Sequence, residues 1–488
     1  MNVREASILM GADARAVSAK LFDKEINEFS VDSRSVKAGE LFFALSQKDY
    51  ARAGFNGTFD DAHQYIKDAF GKGAIAAVAR AERVKGDPAL LALKDRLLLV
   101  EDVIAALQTL AHRVYQAWGK PVVGITGSAG KTTAKELTAH LLEQNGRRVL
   151  KSERNYNNGL GLPLSVLRMV SEGRTPEQFD IAVLEMGMSS PTNEIQRLTR
   201  ITPPDIGVEL MIAPVHLEHL GSIENIVAAK AELIEGLKPN GIAVLNADDK
   251  LVIGMRDKHQ GRTVTFGIDN PADVAAKEID TSNLGLIKFR LQTTLGESDA
   301  TLPMSGRHNL MNALAAAAVA TCLGVRPAEI GAALGSATPP RMRGEVLAFA
   351  AGFRVVDDSY NSNPRSLLNM VRTIAEAKTN LKRRLVIAGE MLELGPEEAA
   401  LHREAGREIA GAGIDSLWGV RGLAAEIVAG AKEAGLTDAI FFGSSDEAAR
   451  VIVDEIREGD LVLVKGSRGV ATDKIVKALR ERFPLAEQ

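Results

Sequence analysis

The sequence predicts an α/β protein built in three parts. A small α/β N-terminal domain precedes a central domain with a mainly parallel sheet, and a C-terminal Rossmann-like domain follows. Three observations carry this. At 488 residues the chain is too long for one ordinary core. From about residue 120 onward, short apolar strands alternate with helix-length segments, as in a parallel sheet covered on both faces. Two breaks, Gly119-Lys120-Pro121 and Pro339-Pro340, set the expected boundaries at 1–118, 119–340 and 341–488.

In the first part, GELFFAL (Gly39–Leu45) and AIAAVA (Ala74–Ala79) read as short strands among helix-like stretches. Apolar residues at helical spacing run from Val103 to Trp118 and lead into the first boundary. The central strands are PVVGIT (Pro121–Thr126), IAVLEMG (Ile181–Gly187), DIGVELMIA (Asp205–Ala213) and GIAVLNA (Gly241–Ala247). Helices are expected over Thr132–Asn145, Ile223–Leu237 and Leu310–Leu323. Thr263–Leu302 reads as antiparallel strands appended to this sheet. Beyond the second boundary come FRVVDD (Phe353–Asp358), RRLVIAG (Arg383–Gly389), SLWGV (Ser416–Val420), AIFFG (Ala439–Gly443) and DLVLVKG (Asp460–Gly466), with helices between them.

A hydrophobic content of 45%, a charged content of 25% and a net charge of -4 suit a globular chain and give no reason to expect nucleic acid or an acidic membrane as partner. Arg4, Asp13 and Arg15 leave no room for an apolar signal core. The longest uncharged run, Asn309–Val325, is alanine-rich, carries polar residues and is short for a membrane span, so a packed helix is expected. Cys322 is the only cysteine, which excludes an internal disulfide and a cysteine-based metal cluster. A cytoplasmic chain with no membrane insertion fits these features.

The stretch richest in chemistry is GITGSAGKTTAKE (Gly124–Glu136). It departs from the G-x-x-x-x-G-K-[ST] spacing, because Ile125 stands where that pattern wants its first glycine. The context is nevertheless that of a phosphate loop. An apolar strand enters it, and a helix ending at a glycine cap, Gly146, leaves it. Backbone N–H groups at such a helix start favour an anion. Gly127 and Gly130 permit close approach, Lys131 would reach the β- and γ-phosphates, and the Thr132 hydroxyl would ligate magnesium. Ser128, Ala129 and Thr133 complete the expected phosphate loop, and the central domain reads as a P-loop-type ATPase domain. Glu185 ends the strand VLE, where carboxylates commonly hold magnesium or orient water. Taken alone, His216 and Lys230 read as an ordinary loop histidine and a helix lysine.

Together these features resemble the Mur ligase family, the ATP-dependent amide-forming enzymes of peptidoglycan synthesis. The family's loop has the form G-x-x-G-K-[TS], matched by Gly127-Ser128-Ala129-Gly130-Lys131-Thr132. ERNYNNGLGLPLSVL (Glu153–Leu167), SGRHNLMNALAAAA (Ser305–Ala318) and DDSYNSNP (Asp357–Pro364) resemble three further family segments. VDSRSVKAGELFFAL, DDSYNSNP, GEMLELG (Gly389–Gly395) with His402 after it, and VLVKGSRG (Val462–Gly469) are most similar to the branch that adds D-alanyl-D-alanine to UDP-N-acetylmuramoyl tripeptide. The alternatives are a sister ligase adding the third stem residue, whose D-N-P-R motif Asn361–Arg365 matches only in part, and a non-catalytic ATP-binding homologue.

The resemblance implies an acyl-phosphate mechanism and a set of roles. Lys131, Glu185, His216 and Lys230 would be catalytic. Thr132 and Glu185 would hold one magnesium ion, and His216 with a carbamylated Lys230 would serve a second. His308, Asn309 and Asn312 would surround the adenine, while Arg343 and Asp358 would close onto the phosphates. Ser33 and Arg34 would meet the uridine diphosphate end. Asn155, Asn157 and Asn158 would lie near the substrate diphosphate or the metal. Tyr360, Asn361 and the GEMLELG loop would meet the dipeptide. A monomer with a hinged C-terminal domain is expected, and a ligand-free chain could stand open. The chain departs from the family in an expanded Gln47–Ala69, in Glu209 within a strand, and in Asn193 where glycine is common.

Overall fold

The computed structural model describes residues 1–55, 57–153, 156–188, 193–213, 220–377 and 382–486. His216 and Asn155, two of the expected site residues, lie outside them.

Three sheets organise the described residues, in agreement with the α/β class read from the sequence. The first is four parallel strands in the order β1 (Phe29–Ser30), β2 (Leu41–Phe43), β3 (Ala76–Arg80) and β4 (Leu97–Val100). Within Gln47–Ala69, read as an expansion, the helix Gln47–Arg52 and the turn Ala62–Tyr65 are described. Asp49 is buried, pairs with Arg80, and accepts from the Val103 N–H at 3.1 Å.

The helix Val103–Trp118 has the bounds its periodicity predicts. Asp102 caps its start by accepting from the N–H groups of Ile104 and Ala105, and Gly119 ends it in the left-handed conformation at φ +64°. Its indole and phenol reach across to the central part. Trp118 Nε1 donates to the Phe179 carbonyl and Tyr115 Oη to the Pro203 carbonyl, both at 3.1 Å.

Among the described residues the central sheet has nine strands. In chain order they are β5 (Val122–Thr126), β6 (Val149–Lys151), β7 (Ile181–Glu185), β8 (Ile206–Glu209), β9 (Ile242–Asn246), β10 (Arg262–Gly267), β11 (Val274–Asn283), β12 (Leu286–Thr293) and β13 (Gly296–Leu302). Their spatial order is β13-β12-β11-β10-β9-β8-β5-β7-β6. β10 pairs in parallel with both β9 and β11, so only β12 and β13 are antiparallel additions, a correction to the reading of Thr263–Leu302. The reason lies in the connection. Two short helical turns, Lys250–Ile253 and Arg256–Lys258, carry the chain back from β9 before β10 begins, which returns it in the same direction.

β8 stops four residues short of the expected Ala213. The following backbone bonds out of the ladder instead: Met211 accepts from the Ser128 N–H at 2.8 Å, and the Asp249 side chain accepts from the Ile212 N–H at 2.9 Å. The alanine-rich run forms the helix Arg307–Cys322, buried on nearly every side and packed on the helix Lys131–Gln144. Among the described residues no helix is long and apolar enough to cross a membrane.

The third sheet is β14 (Glu345–Ala348), β15 (Arg354–Asp358), β16 (Arg383–Gly389), β17 (Ser416–Val420), β18 (Ala439–Phe442) and β19 (Asp460–Lys465), in the order β14-β15-β19-β16-β17-β18. All but β14 are parallel. Two apolar clusters fill its faces.

Candidate active site

β5 lies in the middle of the central sheet, and its carboxyl end feeds the glycine loop. Ligands gather at such strand ends in open α/β sheets. Gly127 has φ +151°, and a Cβ there would stand 2.9 Å from Leu210 Cβ. Gly130 has φ +86°, and its Cβ would stand 2.3 Å from Asn312 Oδ1. A side chain at either position would push the loop from its path. Gly130 begins the helix Lys131–Gln144 without a side-chain cap, so the first N–H groups of that helix have no side chain competing for them.

Lys131 folds back over the loop and donates to the Gly127 carbonyl at 2.8 Å. Burial of its ammonium pushes its pKa down, and Arg343 adds to that while Glu185 and Glu209 oppose it. Thr132 Oγ1 donates to Glu185 Oε2 at 2.9 Å, and Asn157 Nδ2 donates to Oε1 at 2.8 Å. Arg343, from beyond the second boundary, donates to Thr132 Oγ1 at 3.3 Å and stacks on the Tyr360 ring at 4.1 Å. Arg343 and, from the third sheet, Asp358 therefore stand beside the loop. A cavity of about 230 Å³ results, lined by Ser128–Thr133, Asn157, Glu185, Asn309, Arg343, Asp358, Tyr360 and Asn361 among others.

A second cavity of about 560 Å³ adjoins it, and Ala129, Gly130, His308 and Asn312 border both. Its far wall is the helix Pro364–Glu376. His308 is held neutral, its pKa pushed down to about 4 chiefly by burial, and its Nδ1 has no hydrogen-bond partner among the described residues. Asn309 faces only the smaller cavity, and its amide is used on the Ser305 carbonyl at 2.8 Å.

Glu209 and Lys230 lie on the other side of the sheet end. β5 pairs Ile125 with Glu185 and Thr126 with Glu209, so the two carboxylates leave the sheet on opposite faces. The helix Ile223–Glu235 covers the Glu209 face, with Leu233 against Gly124. Glu209 is fully buried, and among the described residues neither of its oxygens has a hydrogen-bond partner. Burial pushes its pKa up to about 8 against the pull of Lys230 and Lys131. Burial and the neighbouring Lys131 push Lys230 down to about 7, with Glu209 opposing. Lys230 lines neither cavity.

A carboxyl held above its unfolded value of 4.5 contributes most below that pH and loses its contribution as pH rises through 8. Glu209→Gln is therefore expected to melt above the wild type by a margin that widens from pH 5 to pH 8.5. Thermal melts across that range check this, and a constant margin would count against it.

Thr132 and Glu185 offer hard oxygen donors side by side, which fits magnesium. Among the described residues no group of three or more His, Cys, Asp or Glu side chains is placed to hold a metal ion. A cation here would take its remaining ligands from phosphate and water, as magnesium does.

Three of the expected substrate residues, Ser33, Arg34 and Asn158, line neither cavity. Arg34 is exposed and forms a two-point pair with Asp32, and the Ser33 carbonyl accepts from Lys72 Nζ at 2.7 Å. Neither residue borders the two cavities. Asn158 Oδ1 accepts from the N–H groups of Leu160 and Gly161, at the start of the helix Gly161–Leu167. The sequence reading missed four residues that line the smaller cavity, Ser362, Asn363, Ser366 and Lys465; the signal for Lys465 was a charge ending the apolar run VLVK, as Glu185 ends VLE.

A family model described as the Mur ligase middle domain matches residues 125–320, and one described as the Mur ligase, glutamate ligase domain matches 342–468. A UDP-N-acetylmuramoyl-tripeptide–D-alanyl-D-alanine ligase from Bacillus subtilis is 33% identical over 457 residues, covering 93% of each chain. Among solved structures, MurF from Acinetobacter baumannii has a TM-score of 0.82 at 27% identity, covering 98% of each chain. MurF ligase from Thermotoga maritima in complex with ADP has a TM-score of 0.77 at 26% identity, covering 94% of this chain and 98% of that one.

Proposed function

The chain belongs to the Mur ligase family, and on that premise we propose that it joins D-alanyl-D-alanine to a UDP-N-acetylmuramoyl tripeptide, with ATP converted to ADP and phosphate. The observation that carries this reading is one cavity in which the glycine loop, Glu185, Arg343 and Asp358 meet. We take the boundaries as 1–118 for the sugar-nucleotide domain, 119–340 for the ATP domain and 341–488 for the dipeptide domain.

A carboxylate does not react with an amine unaided. The tripeptide carboxylate attacks the γ-phosphorus, the bond to ADP breaks, and an acyl phosphate forms. The dipeptide amine then attacks the carbonyl carbon, loses a proton, and phosphate departs. Catalysis of this kind is mostly positioning and charge neutralisation. In this chain Lys131 and Arg343 neutralise charge on the transferring group, while the N–H groups of Gly127–Thr133 cradle the phosphates. The larger cavity accepts adenosine, with His308 and Asn312 at its border. Magnesium, when bound at Thr132 and Glu185, supplies Lewis-acid polarisation of the phosphoryl oxygens. A second ion would lie at His216 and Lys230. Burial of Lys230 supports its carbamylation, since only a neutral amine takes up carbon dioxide, releasing a proton as the carbamate forms.

Ser33 and Arg34 would meet the uridine diphosphate end, and Asn157 and Asn158, with Asn155 on the sequence resemblance alone, would serve the diphosphate or metal. Tyr360, Asn361 and the loop Gly389–Gly395 face the dipeptide. His402 braces that loop by accepting from the Met391 N–H at 2.9 Å. Arg365, the arginine of the partial sister motif, donates to the Ile212 carbonyl at 3.4 Å, which does not favour the sister reading. The protein works as a cytoplasmic monomer.

Phosphate release from ATP tests the reading. It should require both the UDP-N-acetylmuramoyl tripeptide and D-alanyl-D-alanine, with the pentapeptide product seen by mass spectrometry. Turnover with a free amino acid in place of the dipeptide would move the chain to a sister ligase.

A further inference from the structure

Lys465 closes β19, an apolar strand inside the third sheet. β15 lies beside it in parallel, and the register sets Asp358 opposite Lys465. The two side chains therefore leave neighbouring strand ends on one face of the sheet. The ammonium donates to Asp358 Oδ2 at 2.5 Å and to the Asn361 carbonyl at 2.9 Å. Lysine is almost never fully buried unless paired, and this one is 3% exposed.

Desolvating such a charge is costly even when it is paired. A neutral donor could have closed the same turn without that cost, so the turn alone does not account for the lysine. Its location does. Asp358 and Lys465 both line the cavity that contains Lys131, Thr132 and Arg343. An uncompensated carboxylate at that wall would repel a polyphosphate. We propose that Lys465 is a positioning residue for the nucleotide: it neutralises Asp358 and pins the turn from Asp358 to Asn361, so that Asp358 faces the phosphates without repelling them. The same turn carries Tyr360, on which Arg343 stacks. A turn that slips would carry the Arg343 guanidinium away from Thr132. His308 marks the local field, since both members of the pair act on its ring in opposite directions. The inference rests on the ligase reading only for the identity of the nucleotide.

The test is binding of a non-hydrolysable ATP analogue with magnesium to the full chain, by titration calorimetry. Lys465→Met is expected to weaken binding by about 30-fold, the effect of leaving one charge of a desolvated pair behind. The double variant Lys465→Met with Asp358→Asn is expected to bind at least about five-fold tighter than Lys465→Met alone, because the stranded carboxylate is gone. A purely structural lysine would give no such recovery. In turnover, KM for ATP should rise, since a loss of nucleotide binding raises KM. Binding by Lys465→Met within three-fold of the wild type overturns the proposal, and so does a double variant no tighter than the single one. Should Lys465→Met fail to fold by circular dichroism, Lys465→Gln carries the same comparison. Failure of the ligase reading is separate: the wild type would bind the analogue yet release no phosphate with both acceptors present.

Discussion

Lys131→Ala should lower kcat for phosphate release by about 10³-fold, with the thermal melt close to that of the wild type. The expected size follows from what the ammonium does. Phosphoryl transfer leaves the protein little covalent work, so a cation fixed on the transferring group supplies a large share of the acceleration. In the present structure that cation is stored on the Gly127 carbonyl, 2.8 Å away, inside the loop it will serve. Glu185 keeps its bonds to Thr132 and Asn157, and Glu209 keeps the pull of Lys230. Stability therefore changes little while chemistry fails. A pH signature should accompany the loss. Burial holds the Lys131 pKa below its usual value, and bound polyphosphate must raise it again. Wild-type ATP affinity should accordingly fall as pH rises through the free-enzyme pKa, and that slope should vanish in Lys131→Ala. Turnover within ten-fold of the wild type would sink this assignment.

Much of this site was legible because strand-end chemistry is local. Gly127, Gly130, Lys131 and Thr132 follow one another, and Glu185 ends an apolar run whose direction the P-loop context fixes. The helix Val103–Trp118 was legible to the residue, since a capping aspartate and a left-handed glycine mark its ends. Short strands were not. β6 is Val149–Lys151 and β14 is Glu345–Ala348, each too brief to show alternation and held only by its neighbours. The direction of β10 depends on how the chain crosses back from β9, which no periodicity reports. Asn193 was noted as a departure from glycine. The structure gives it φ +48°, a left-handed conformation that asparagine tolerates better than most residues. The Lys465–Asp358 pair was hidden because its members are 107 residues apart and become neighbours only through the strand order of the third sheet.

Glu185→Gln should raise the magnesium concentration needed for half-maximal turnover by more than about ten-fold and lower kcat about 100-fold at a fixed, wild-type-saturating level. The substitution isolates charge from shape. The side chain is 3% exposed, and its oxygens accept from the Thr132 hydroxyl at 2.9 Å and the Asn157 amide at 2.8 Å. Its backbone N–H is separately held by Ser152 Oγ at 3.1 Å. A glutamine fits the same space, and the Thr132 hydroxyl can turn to accept from the new amide. Packing is thus retained, and what disappears is the negative charge that a hard cation needs. Two consequences separate this from general damage. Added magnesium should restore a large part of the lost rate, which it would not do for a misfolded chain. Nucleotide binding without magnesium should be no weaker than in the wild type, since one repulsive carboxylate has gone. An unchanged magnesium half-saturation would mean that Glu185 serves only to hold Thr132 and Asn157 in place, and that the cation finds its protein ligands elsewhere in the cavity.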